Sequence, residues 1–118
     1  MVEYRYSYYE KPDGTTPVEE FIDEQSDTEQ ANFLYKMEKF VMVYGPVTPH
    51  NILHKVGEFY QITIGKYRYL SVLQGQEFIL LHAFRKKSQK TKPADIKRAE
   101  GYLLELQGRG AKHGKDKR

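Results

Sequence analysis

Residues Glu58–Arg85 read EFYQITIGKYRYLSVLQGQEFILLHAFR. Aromatic and β-branched residues dominate, and apolar positions recur with a period close to two, the mark of strands with one face against a core. Three strands follow: Glu58–Ile64, Tyr67–Leu73 and Phe78–Arg85. Gly65-Lys66 and Gln74-Gly75-Gln76 between them are short, glycine-bearing links, so consecutive strands pair as an antiparallel meander.

Working outward, the period changes to that of helices. Downstream, Thr91 and Pro93 open a helix in which Ile96, Ala99, Leu103 and Leu106 share a face, weakened in its middle by Gly101. From Gln107 the chain is rich in Gly and Lys and has nothing to bury. A domain over 1–106 with a basic, disordered tail over 107–118 is expected. Upstream, Phe33, Leu34, Met37, Phe40, Val41 and Tyr44 recur at helical spacing, with Asp27 and Gln30 as a capping box and Gly45-Pro46 as the stop. Thr16-Pro17-Val18-Glu19 starts a shorter helix buried through Val18, Phe21 and Ile22. Residues Val2–Glu10 alternate as a first strand, with Tyr4, Tyr6 and Tyr8 on one side. The order is β-α-α-β-β-β-α, which predicts a single α+β domain: an antiparallel-rich sheet with helices packed on it.

The 118 residues suffice for one core. There is no cysteine, so neither disulfides nor thiolate metal sites are available, and a reducing cytoplasm is the expected location. No apolar run is long enough for a membrane span, and no membrane partner is expected. The net charge of +3 conceals an asymmetry. Residues 1–50 hold four Lys/Arg against ten Asp/Glu, a net of −6, and residues 51–118 hold fifteen against six, a net of +9. A basic half predicts a polyanionic partner, because phosphate contacts release counterions.

The cations gather where strands meet loops. His54 and Lys55 precede the second strand, and Arg68 lies inside the third between two tyrosines. His82, Arg85, Lys86, Lys87, Lys90 and Lys92 cover the fourth strand's end and the following loop. His82 and Phe84 share a strand face and Arg85 points opposite to both. Plainer readings compete: a charge run is usually a solvated loop, isolated histidines are usually bystanders, and Arg68 can be the ion-pair partner of a strand Glu. The spacing of His50, His54 and Glu58 would place metal ligands on one helix face, but Pro46 and Pro49 oppose a helix there. No metal and no cofactor is expected.

Tyr67-Arg68-Tyr69-Leu70, the run Ile79–Thr91 (ILLHAFRKKSQKT), and then Ile96 and Ala99 resemble the phage-derived branch of the RelE/HigB toxin superfamily of type II toxin–antitoxin systems. The resemblance is clear over about 55–103. It implies a RelE-like fold, cleavage of messenger RNA on the bacterial ribosome, and inhibition by a cognate antitoxin, commonly a helix-turn-helix DNA-binding protein. Carried over by position, Arg68 falls on the strand arginine that contacts the transition-state phosphate, and Arg85 on a second cationic position. Lys55 falls near the family's basic residues before the second strand. Lys86, Lys87 and Lys90 match the loop facing RNA and ribosome, with His54 and His82 as further RNA contacts. The chain departs from many relatives in the second strand, where Gln61 and Thr63 replace a Glu and an Arg. A catalytic Tyr or His near the C-terminus has only Tyr102 and His113 as candidates.

Such a toxin needs no metal in principle, because the RNA 2′-hydroxyl attacks the neighbouring phosphate. The protein must take that proton, stabilise the phosphorane-like transition state and protonate the leaving 5′-oxygen. Arginine suits the second task, and a crowded lysine or a histidine suits proton transfer. The alternative expectation is a member that keeps the fold and occupies RNA or ribosome without cutting.

Overall fold

The computed structural model describes residues 3–116, with side chains described through 108. Three of the strands stand where period-two alternation puts them: β3 (Phe59–Ile64), β4 (Tyr67–Gln74) and β5 (Glu77–Arg85) form the antiparallel meander. A fourth, β2 (Leu53–Val56), was not expected. It is four residues long with one buried side chain, Leu53, too short for alternation to register. Gly57, at φ +60°, supplies the left-handed backbone that folds β2 back along β3. At the other edge β1 (Arg5–Tyr8), shorter than expected, pairs in parallel with β5. The sheet order is β1-β5-β4-β3-β2, so the α+β class and the antiparallel-rich sheet are as expected.

Helices cover both sheet faces. Against one lie α1 (Pro17–Asp23) and α2 (Asp27–Lys36), the latter continuing through a π-helical turn (Met37–Val41) into a short α3 (Met42–Tyr44). Their Val18, Ile22, Phe33, Met37 and Val41 pack with Ile62, Ile64, Tyr69, Phe78 and Leu80. Phe33, Met37 and Val41 are spaced by four, a separation that drifts off one face of a 3.6-residue helix. The wider π turn takes up the drift and keeps all three buried. Leu34 and Tyr44, expected on the buried stripe, are instead 46% and 48% exposed.

Two helix starts differ from the sequence reading. Ser26 and Glu29, not Asp27 and Gln30, form the capping box of α2, both bonds at 3.2 Å. The amide of Gln30 instead donates to the carbonyl of Gln25 at 3.0 Å, tying α2 to the end of α1. Thr16 does precede α1, but its hydroxyl donates to the Glu19 carboxylate rather than accepting a helix N–H. The stop at Gly45 holds for two reasons: φ is +59°, and a Cβ there would collide with the Tyr4 ring.

On the opposite face α4 (Pro93–Asp116) lays Ala99 and Leu103 against Leu70, Val72, Leu81 and Tyr9, with Ile96 and Leu106 at the margin. Tyr9 points away from Tyr4, Tyr6 and Tyr8, as alternation requires, and stacks on Tyr102 at 4.9 Å. The α4 backbone continues past Leu106, through part of the segment expected as a tail; from 109 on, side chains lie outside the described residues. Among the described residues no helix is long and apolar enough to cross a membrane.

Candidate functional site

Helix α4 covers the β4–β5 side of its sheet face, and the β2–β3–β4 side carries polar residues instead. Directly paired residues share a face. The register therefore aligns His54, Gln61, Leu70 and His82 in one row, and Thr63, Arg68 and Phe84 in the next. Leu81 makes this possible. Leu70 pairs with His82 but Ser71 with Leu80, so Leu81 is the extra residue of a β-bulge. Leu81 and His82 consequently face the same side, and Phe84 follows them. His82 and Phe84 share a face and Arg85 opposes them, as expected.

The loop Lys86–Lys92 arches over this polar half. Its first residue prolongs the strand pairing, with the Lys86 N–H donating to the Lys66 carbonyl at 2.8 Å. Its far end is fixed by the Thr91 hydroxyl, which donates to Oε1 of the buried Gln61. Thr91 therefore does not cap α4, which begins at Pro93. Loop and sheet enclose a cleft in two adjoining parts, of about 260 Å³ and about 440 Å³, that share Gln61, Arg68, Lys86, Gln89, Lys90 and Thr91. Lys87 borders the first part and His54 the second.

Arg68 is the cation at the centre. Its Nη1 donates to the carbonyls of Gly65 and Tyr67, both at 2.9 Å, which fixes the guanidinium plane. Nε and Nη2 have no protein hydrogen-bond partner among the described residues, and no ion pair there includes Arg68. Among the described residues no strand Glu pairs with it. Glu29 of α2 is engaged by Lys66 at 3.2 Å and by the Tyr67 hydroxyl. Partial burial lowers the Arg68 pKa from its high ordinary value, leaving a cation poor in solvent.

His54 shows the same environment. Desolvation is the largest influence, followed by the charges of His50 and Arg68, and all three push the imidazole below its ordinary pKa. The His50 and His54 rings stand 4.9 Å apart, but no group of three or more His, Cys, Asp or Glu that could hold a metal is brought together among the described residues. A neutral imidazole beside an immobilised guanidinium can accept a proton while the guanidinium binds an anion.

Other expected site residues are at the margin of the cleft or outside it. Lys55 is among the residues lining the larger part, but its side chain is turned aside: Nζ lies 4.5 Å from the centroid of the Tyr60 ring and 3.4 Å from the Glu58 carbonyl. Arg85 is exposed opposite Tyr67 and contributes to the rim of the smaller part. His82 does not line the cleft. Its Nε2 is 2.7 Å from Oδ1 of Asp95, and its ring stacks on Phe84, so it fastens the first turn of α4 to β5. Tyr102 lies against Tyr9 outside the cleft, and His113 is outside the described side chains.

Sequence reasoning did not assign Gln61, Thr63 and Thr91 to the site, because all three are neutral. A signal was available for two of them. In a strand with one apolar face, Gln61 and Thr63 are consecutive polar residues on the other, and the Gly65-Lys66 link sets Thr63 opposite Arg68.

No curated protein matches the chain. The family model for the phage-derived, Gp49-like proteins (DUF891) matches residues 20–103, which runs from within α1 to the buried part of α4 and takes in every strand but β1. The matched region holds all the residues of the cleft. The chain belongs to the Gp49-like family of phage-derived proteins, a RelE/HigB-like family associated with toxin–antitoxin systems.

Proposed function

We propose that this chain is the toxin of a type II toxin–antitoxin pair and cleaves messenger RNA on the bacterial ribosome, in the cytoplasm, with the cleft as its active site. The supporting observation is Arg68: a half-buried guanidinium, held by two backbone carbonyls, with donors free toward a cleft that a depressed-pKa histidine also lines.

In this reading His54 takes the proton of the RNA 2′-hydroxyl. The 2′-oxygen bonds to phosphorus, the P–O5′ bond breaks, and a 2′,3′-cyclic phosphate and a 5′-hydroxyl result. The 5′-oxygen takes its proton from a cation of the loop. Arg68 binds the non-bridging oxygens as negative charge builds up on them, and its planar fork matches two oxygens at once. Lys86, Lys87 and Lys90 hold the flanking phosphates, while Lys55 and Arg85 add charge at the margins. His82 acts through the His82–Asp95 pair by setting where α4 and the loop begin. The nucleophile belongs to the substrate, so the reaction requires no activated water, and neither metal nor cofactor is assigned. The partner that restrains the toxin is a cognate antitoxin, for which we take a helix-turn-helix DNA-binding protein.

Thr63 and Gln61 favour a second reading, since both are neutral where relatives carry charge: the protein occupies RNA or ribosome without cutting. Inducible expression with mapping of messenger RNA 5′ ends separates the two. Growth arrest with new ends inside translated messages is expected. Arrest without new ends selects the second reading, and unimpaired growth removes both.

A further inference from the structure

Gln61 is 5% exposed and lies in the wall common to both parts of the cleft. Burying a primary amide is unfavourable unless its donors and acceptor find partners. The acceptor has one: Oε1 takes the Thr91 hydroxyl. The donor side has none, because Nε2 makes no protein hydrogen bond among the described residues. The Thr91 hydroxyl holds the amide in place, and with Oε1 accepting from it the NH2 group is left for another acceptor. The loop therefore presents a neutral donor at a set position, in the same wall as Arg68 and facing the same space.

We infer that Gln61 is a substrate-binding residue: Nε2 donates a hydrogen bond to a non-bridging oxygen of the RNA phosphate held by Arg68. This rests on reading the cleft as an RNA site and names a contact within it. The chemistry explains why an amide suits the position. A carboxylate would keep the acceptor for Thr91 but place a negative charge beside the phosphate and compete for Arg68. An amide keeps the same acceptor and contributes a donor without charge. Gln61 is thus an anion-compatible floor for the site rather than a lost base.

The test uses the full chain and a fluorescein-labelled 2′-O-methyl oligoribonucleotide, which cannot be cleaved, with anisotropy read at low salt and melting measured on every preparation. Gln61→Met, close in shape and without a donor, should bind roughly 10- to 100-fold more weakly, as expected for a lost hydrogen bond to a charged group. Thr91→Val releases the loop but spares the amide, and should lose less. Gln61→Glu should be weaker still at neutral pH. Its deficit relative to the unmodified protein should shrink as the pH falls and the protonated carboxyl regains a donor. A clamp acting only through the loop would make Gln61→Met and Thr91→Val equal and the Gln61→Glu deficit independent of pH; that result overturns the assignment. Unmodified protein that binds no RNA overturns the reading of the cleft itself. Bound RNA with undiminished affinity in both Gln61 variants overturns the Gln61 contact alone.

Discussion

The two faces of the sheet are built from the same strands and solve opposite problems. Toward α1 and α2 the strands turn mostly apolar side chains and the aromatic rings interlock: Phe33 meets Tyr69 edge-on at 5.2 Å, and Phe21 meets Tyr67 edge-on at the same distance. Polar tips there are answered within the fold: the Ser71 hydroxyl donates to the Tyr60 carbonyl at 2.9 Å, and the Tyr69 hydroxyl accepts from Gln25 at 3.1 Å, with burial pushing its pKa up to about 12. The opposite face is apolar only beneath α4. Beyond α4 it carries His54, Gln61, Thr63 and Arg68, whose hydrogen-bonding groups are partly unanswered among the described residues. One face stabilises the fold; the other gives part of its area to polar groups that line the cleft.

That contrast is open to direct attack, beginning with the larger effect. Phe33→Ala empties a fully buried site on the closed face, and truncations of this kind cost about 3–5 kcal/mol of stability. A melting curve should shift strongly downward, with cleavage per folded molecule unchanged. Arg68→Ala on the open face should do the reverse. Loss of one well-placed charged donor costs about 10²–10³ in rate, or about 2.7–4 kcal/mol at the transition state, while melting stays within a few degrees. Lysine at 68 should restore little, since a point charge cannot form the forked contact. Melting and single-turnover cleavage on one preparation measure both variants. An Arg68→Ala protein that is folded and fully active would break the comparison, and one that melts early would move Arg68 to the structural side.

A smaller effect sharpens the same contrast through pH. His54 must be neutral to accept a proton, and its folded-state pKa is depressed, by desolvation first and then by the charges of His50 and Arg68. Cleavage should therefore fall as pH drops through a value below the ordinary imidazole pKa of about 6.5. The same depression stabilises the fold above the unfolded-state value, and that contribution is lost as pH falls. Arg68→Ala removes one cause of the depression, so the residual activity of that variant should show an acid limb at higher pH. Rate–pH profiles of the two proteins decide this; a limb at or above the ordinary value in the unmodified protein removes His54 as the base.

What was legible in the sequence follows the strength of each local signal. The meander and the α4 stripe were plain because alternation, glycine links and helical spacing coincide over long segments. β2 was not, since a single core contact leaves four residues without a period. The capping box was misplaced by one residue because Ser26/Glu29 and Asp27/Gln30 both fit the spacing, and only packing chooses between them. The π turn has no sequence mark of its own. Within the site, charge made Arg68 and the loop lysines visible. Charge says nothing about direction, however: Lys55 lines the cleft but turns its ammonium to Tyr60, and His82 is held by Asp95.

The bulge at Leu81 has a further meaning for how such a domain can vary. It works as a phase shift in the last strand: residues before it obey one parity and those after it the other. Phe78 and Leu80 are committed to the closed layer, while His82 and Phe84 are delivered to the open one by a single inserted residue. The segment from His82 onward keeps the alternation with its phase reversed: Ala83 packs on the closed layer and Phe84 on the α4 side, and the cationic loop follows from there. Up to Leu81 the even-numbered residues of the strand face the closed core, and after it Ala83 does. Removing Leu81 would exchange the faces of His82 and Phe84 with that of Ala83 while leaving Phe78 and Leu80 in place.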